Sequence, residues 1–319
     1  MEKPIYVWIV FISIVFTLLA IDLGIFNKRD HVIKFKESLW LSAFYIFIGS
    51  LFSLWIWYIK GFNGFSEYIT GFLVEKSLSL DNIFVISLIF SHLSIPEKYQ
   101  HRVLFFGILG VIVLRAIMIG LGATILHEFF WVLYIFGGIM VFTGVKMLFI
   151  THQSIKISKN FILIWMKKHL KITDKLHKQK FYLYQTDPKS QKKKLFFTPL
   201  FLALIMVEFT DLVFAIDSIP AIFAITQDTY IVYTSNIFAV LGLRALYFAL
   251  ASMVEKFYYL KYALAVILIF IGSKIFIADA FGLTKIPPIL SLSVTVIILF
   301  SGVLASFLKQ KKNFNRKGN

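Results

Sequence analysis

Two stretches of the chain, 65–91 and 198–222, are apolar enough to lie in lipid yet carry polar groups in a matching frame. The first holds Glu75, Asp81 and Asn82; the second holds Asp211, Asp217 and Ser218, with Glu208 one turn earlier. A carboxylate at hydrocarbon depth is costly unless it faces protein, water or a bound cation, so such acids are read first as part of an ion or proton pathway. The available donors are carboxylate, amide and hydroxyl oxygen. The chain has no cysteine, and His92, His101 and His127 fall at predicted span ends. That donor set suits hard divalent ions, Mn²⁺, Ca²⁺ or Mg²⁺, and suits softer ones poorly.

Several acids exceed the charge of one divalent ion, so some must be protonated or paired when no ion is bound; Arg115, Arg244 and Lys76 are candidate partners. Because ligands must lose protons to bind metal, such a site couples metal binding to proton release. On an unbroken helix Glu75 and Asp81 lie about 9 Å apart along the axis and about 120° apart around it, too far to share one ion. Two solutions exist. Either the helices are interrupted, with Pro220, Ser77 and Ser79 marking the places, or pairs drawn from both stretches build the site. Interruption is the preferred expectation. The plainer reading assigns each acid to a structural ion pair with Arg115, Arg244, Lys146 or Lys274; repetition of the whole set weighs against it, although the two arginines themselves read as structural partners, since a guanidinium binds no cation. Asp22 reads as a solvated acid near the end of the first span.

The elements that must position these groups are membrane helices. Of 319 residues 59% are hydrophobic and 16% charged, far from the composition of soluble domains. Runs of about 20 apolar residues are long enough to span a bilayer, and nine are predicted, at 5–26, 38–59, 65–91, 102–124, 129–150, 198–222, 230–253, 259–280 and 287–308. The fold class expected is therefore all-α, a single polytopic membrane domain over 1–319. The +16 charge marks topology rather than a nucleic-acid partner, because the lysines lie in short segments between apolar runs. Lys28, Arg29, Lys34 and Lys36, then Lys98 and Arg102, then twelve lysines within 151–197, and finally Lys309 to Lys317 all fall on one face. That face reads as cytoplasmic, with the N-terminus outside and the C-terminus inside a cell or inner membrane. Segment 151–197 reads as a basic cytoplasmic linker, its FILIWM run (161–166) forming an interfacial helix near anionic lipid.

The chain also repeats itself. EKSLSLDNIFVI (75–86) aligns with DLVFAIDSIPAI (211–222), VLRAIMI (113–119) with GLRALYF (242–248), and TGVKMLF (143–149) with IGSKIFI (271–277). Repeat one would cover 65–150 and repeat two 198–280, with 1–60 and 281–319 peripheral. Three spans per repeat is an odd number, which places the two copies in opposite orientations, as in many secondary transporters.

EKSLSLDN, EFTDLVFAIDSIPA and the AIDLGIF of the first span resemble the motifs of the TerC family of integral membrane proteins, over essentially the whole chain. The family is named for tellurium resistance, and several members are associated with Mn²⁺ efflux. The resemblance implies that Glu75, Asp81, Asn82, Glu208, Asp211 and Asp217 line a metal path. The function expected is a non-enzymatic secondary exporter of divalent cations, Mn²⁺ first, exchanging them for protons. Asp81 and Asp217 are the leading ligands, Ser218 a neutral donor, and Arg115 and Arg244 supporting residues. No tightly bound cofactor is expected, and homo-oligomerisation is left open. The alternative is a membrane scaffold or assembly factor that transports nothing. ATP-driven pumping finds no Walker-type sequence to support it.

Overall fold

The computed structural model describes residues 5–22, 35–129, 131–149, 161–173, 176–177, 179–186, 193–250, 259–280 and 287–317. In chain order the elements are α1 (Ile5–Ile21), α2 (Phe35–His92), α3 (Glu97–Glu128), α4 (Val132–Phe149), α5 (Phe161–His169), β1 (Tyr182–Thr186), β2 (Lys193–Phe197), α6 (Pro199–Ile225), α7 (Thr229–Leu241), α8 (Leu243–Leu250), α9 (Leu260–Ala280) and α10 (Pro288–Lys317). Among the described residues six helical stretches are long and apolar enough to cross a membrane, and two shorter apolar helices accompany them. The protein is an all-α membrane protein.

Side-chain distribution follows the solvent. Phe47, Leu121, Phe142, Ile297 and Phe300 point outward, while Ser66, Thr70, Ser235, Asn236 and Arg115 are buried. Lipid tails are as apolar as leucine, so burying leucine gains little there; small and polar residues that pack closely or hydrogen-bond hold membrane helices together instead. α7 is the extreme case, with eleven of its thirteen residues buried. Asp228 caps its N-terminus, accepting from the Tyr230 and Ile231 amides at 3.0 and 3.4 Å. Around it Phe11, Phe52, Tyr68, Tyr230 and Phe238 form an aromatic cluster.

The predicted boundary between spans 38–59 and 65–91 becomes a kink inside α2. Gly61 adopts φ 70°, a left-handed conformation costly for any residue with a Cβ, and joins two helices there. The expected interruptions at the acids do not occur. α2 runs unbroken past Glu75 and Asn82, and α6 continues through Pro220. Ser77 and Ser79 donate to the carbonyls of Leu73 and Glu75, four residues back, at 2.7 and 2.8 Å, which satisfies the hydroxyls without opening the helix. The break falls instead within the predicted span 230–253, at Gly242 between α7 and α8. Lys76 stabilises it from α2 by donating to the Ala239 carbonyl at 3.0 Å, so this lysine neutralises a helix C-terminus rather than an acid.

α4 and α9 make the closest helix contact. A Cβ at Gly272 would fall 2.6 Å from the Gly137 carbonyl oxygen, and one at Gly144 would fall 2.7 Å from that of Ala265. As numbers rise along α4 they fall along α9, so the pair is antiparallel.

Outside the bundle, α5 forms over the predicted FILIWM run, with Leu163 and Met166 buried and Phe161, Ile164 and Trp165 exposed. The same linker also holds a β-hairpin that the sequence reading did not include, with Tyr184 paired to Leu195. Arg102 anchors its base by donating to Gln179 at 2.5 Å and stacking on Phe181 at 5.6 Å.

Crowding at these glycines sets opposite outcomes for two substitutions. Gly272→Val should cost about 1–3 kcal/mol through overpacking and lower the thermal transition in detergent. Gly138→Ala, where an added Cβ meets nothing within 4 Å, should leave that transition unchanged or raise it slightly.

Candidate functional site

Arg115 projects from α3 into the middle of the bundle and is 1% exposed. Its Nε and Nη2 donate to the two carboxylate oxygens of Asp211 on α6, at 3.2 and 2.9 Å. Its Nη1 donates to Glu75 Oε1 on α2 and to Asn236 Oδ1 on α7, the latter at 2.5 Å. One guanidinium therefore binds four helices. Its planar fork matches the carboxylate of Asp211 with two parallel bonds, a geometry that lysine cannot reproduce. With both acids ionised the cluster carries a net charge of −1.

Asn82 extends the cluster from α2, its Nδ2 lying 3.5 Å from Asp211 Oδ1. Beside it is a cavity of about 280 Å³, lined by Glu75, Asn82, Arg115, Thr143, Lys146 and Ser218 among others. Three oxygens of those residues are buried with no hydrogen-bond partner: Glu75 Oε2, Asn82 Oδ1 and Ser218 Oγ. Their three residues line the same cavity, and carboxylate, amide and hydroxyl oxygens are all hard donors. Among the described residues no three His, Asp or Glu side chains group together as a metal centre.

Of the residues singled out in the sequence, Glu75, Asn82, Asp211 and Arg115 are joined directly and Ser218 shares their cavity. The side chains of Asp81 and Asp217, the two leading expected ligands, lie outside the described residues. Glu208 faces α3, against which it packs so tightly that a Cβ on Gly110 would collide with its carboxylate, and its Oε2 is buried without a partner. Arg244 does not join the central acids; it pairs with Asp22 at the end of α1. Asp22 is 2% exposed, which corrects the solvated reading: the break at Gly242 turns Arg244 toward α1 and closes water out. Asn236 was not expected in the site, whereas Lys146, one of the candidate structural partners, shares its cavity. The only sequence trace of Asn236 is a TSN run (234–236) in an otherwise apolar segment.

These features define a polytopic α-helical membrane protein with a buried, charged centre. The chain belongs to the integral membrane protein TerC family, which it matches over residues 60–313. It is 52% identical over 303 residues to an uncharacterized membrane protein of Rickettsia bellii, covering 95% of this chain and 97% of the relative. It is 44% identical over 304 residues to a membrane protein of Myxococcus xanthus, covering 95% and 92%. It is 40% identical over 322 residues, covering 98% and 97%, to the Alx protein of Escherichia coli strain K12, whose name proposes a membrane-bound redox modulator. No solved structure matches it.

Removing the hub strands two buried carboxylates. Arg115→Leu should destabilise the protein by about 3–5 kcal/mol, the cost of breaking a buried ion pair from one side. Arg115→Leu combined with Glu75→Gln and Asp211→Asn should recover much of that loss, as read by unfolding in detergent.

Proposed function

We propose that this protein is a secondary transporter that exports divalent cations, Mn²⁺ first, in exchange for protons. The observation that carries the reading is that Glu75, Asn82 and Ser218, each with a buried oxygen lacking a partner, line one cavity beside the Arg115–Asp211 pair. Oxygen atoms without donors inside a membrane bundle are tolerable when a cation or water takes them, and the donor types favour hard ions. Divalent cargo adds two positive charges to a centre of charge −1, so any acid protonated in the cargo-free state is driven to release its proton. Glu208, desolvated and without a hydrogen-bond partner at Oε2, and Asp81 and Asp217 complete the set of acids assigned to this exchange. No chemical transformation of the cargo is assigned.

Alternating access is assigned to two inverted repeats, 65–150 and 198–280. Nine crossings follow if the two shorter apolar helices are counted with the six long ones and α2 is counted on each side of Gly61. Support for the inversion comes from the glycine contacts of α4 and α9. The alignment of Lys146 with Lys274 pairs Gly144 with Gly272 and Gly137 with Ala265. The contacts Gly144 to Ala265 and Gly272 to Gly137 are then copies of one another across a twofold axis. The N-terminus is assigned outside and the C-terminus to the cytoplasm, on the distribution of lysine and arginine.

The Alx name raises a redox reading, but this chain has no cysteine with which to do thiol chemistry.

Reconstituted into liposomes with an acidic lumen, the protein should accumulate Mn²⁺ as protons leave, and collapsing the pH gradient should stop uptake. Glu75→Gln and Asp211→Asn should each reduce the initial rate by about 10–100-fold, and Asp81→Asn and Asp217→Asn should do the same. Unaltered flux in all four variants would remove the site assignment; absence of flux in the unsubstituted protein would favour the scaffold.

A further inference from the structure

Arg244 holds the position in repeat two that Arg115 holds in repeat one, yet the two are used differently. Arg115 takes both central acids, while Arg244 is held by Asp22. Arg244 is nevertheless poised over the centre. It shares the wall of a second cavity, of about 20 Å³, with Asn82 and Asp211, and its Nη1 is buried with no hydrogen-bond partner. A space of that size admits a single water. Asp211 is thus engaged by one arginine and shares a small cavity with the other.

We propose that Arg244 is the second counter-ion of Asp211, and that Asp22 is the latch that holds it off in this state. In an inverted repeat, the two conformations of the cycle are related by exchanging the roles of the halves. By that symmetry the Arg115–Glu75 pair of this state becomes an Arg244–Asp211 pair in the opposite conformation. Releasing Asp22 frees α8 from the end of α1 and opens the small cavity on that side. When Asp211 leaves Arg115, Glu75 loses its carboxylate competitor for the guanidinium, and the donor set of the large cavity changes. The inference rests on the exchange reading above, because it assigns the counter-ion swap to the cycle proposed there.

The absence of native cysteine makes the swap testable without measuring transport. Val240 lines the small cavity and is 1% exposed, so Val240→Cys in the full chain in lipid nanodiscs should react slowly with a water-soluble maleimide. Adding Asp22→Asn should raise the labelling rate about tenfold or more, as the latched population gives way to the opened one. Adding Arg244→Gln to that variant should abolish the rise, because the opened state needs the arginine on Asp211. No rise with Asp22→Asn overturns the proposal. An equal rise in the double variant also overturns it, since the pair would then be a plug and a loosened chain would label fast in both. Failure of Mn²⁺ flux with this labelling pattern intact would remove the exporter reading and leave the counter-ion exchange standing.

Discussion

A single buried guanidinium organises the interior of this protein. Arg115 engages side chains of α2, α6 and α7 from its own place on α3. Each engaged group would be intolerable alone at that depth. Desolvating two carboxylates and an arginine is expensive, and their mutual attraction offsets that cost only if geometry and additional hydrogen bonds are good. The bidentate contact with Asp211 and the amide of Asn236 supply both. Four helices are therefore held in one relative placement by electrostatics rather than by hydrophobic burial, which is a weak force between helices surrounded by lipid.

Around that centre the packing is of two kinds. α7 is enclosed by aromatic side chains on one side and by small polar ones on the other, and its serine and threonine hydroxyls return to its own carbonyls, as Thr234 does to Tyr230 at 2.7 Å. α4 and α9 instead meet backbone to backbone through glycine. Polar side chains of the first kind are used up within their own helices. Buried atoms without a partner occur elsewhere too, Ser42 Oγ, Ser66 Oγ and Thr295 Oγ1 among them; what sets Glu75 Oε2, Asn82 Oδ1 and Ser218 Oγ apart is that their residues line one cavity.

The arginines expose a departure from the internal repeat. Equivalent frames carry Arg115 and Arg244, but only one reaches the central acids. The helix break at Gly242, with Lys76 capping the carbonyl of Ala239, turns Arg244 toward α1, an element outside the repeats. Asymmetry of this kind is what a two-state inverted protein presents in any one state, and under the proposed exchange it identifies which half is engaged.

Much of this was legible in the chain itself. Carboxylates inside apolar runs stand out because lipid penalises them, so Glu75 and Asp211 were recognisable from their context; that these two would meet on one guanidinium was not. The positions of breaks were not legible. Ser77 and Ser79 are tolerated in a continuous helix because each hydroxyl finds a carbonyl, and α6 continues through Pro220, whereas the break at Gly242 is accompanied by Lys76, which reaches the Ala239 carbonyl from α2. Asp22 was read as solvated because it lies near the end of the first span; its actual partner, Arg244, comes from α8. The hairpin at 182–197 was missed because its alternating residues sit among lysines that mask a period of two.

What the amino-acid order determined by itself is the solvent of the fold and the presence of charge within it: apolar length, lysine placement and duplicated acids are local properties that lipid reads directly. Only the tertiary structure decided which charge meets which. Ion pairing at hydrocarbon depth depends on distances between helices remote in sequence, and with two arginines in equivalent frames the choice between them is made by packing, through one helix break and one acid on α1.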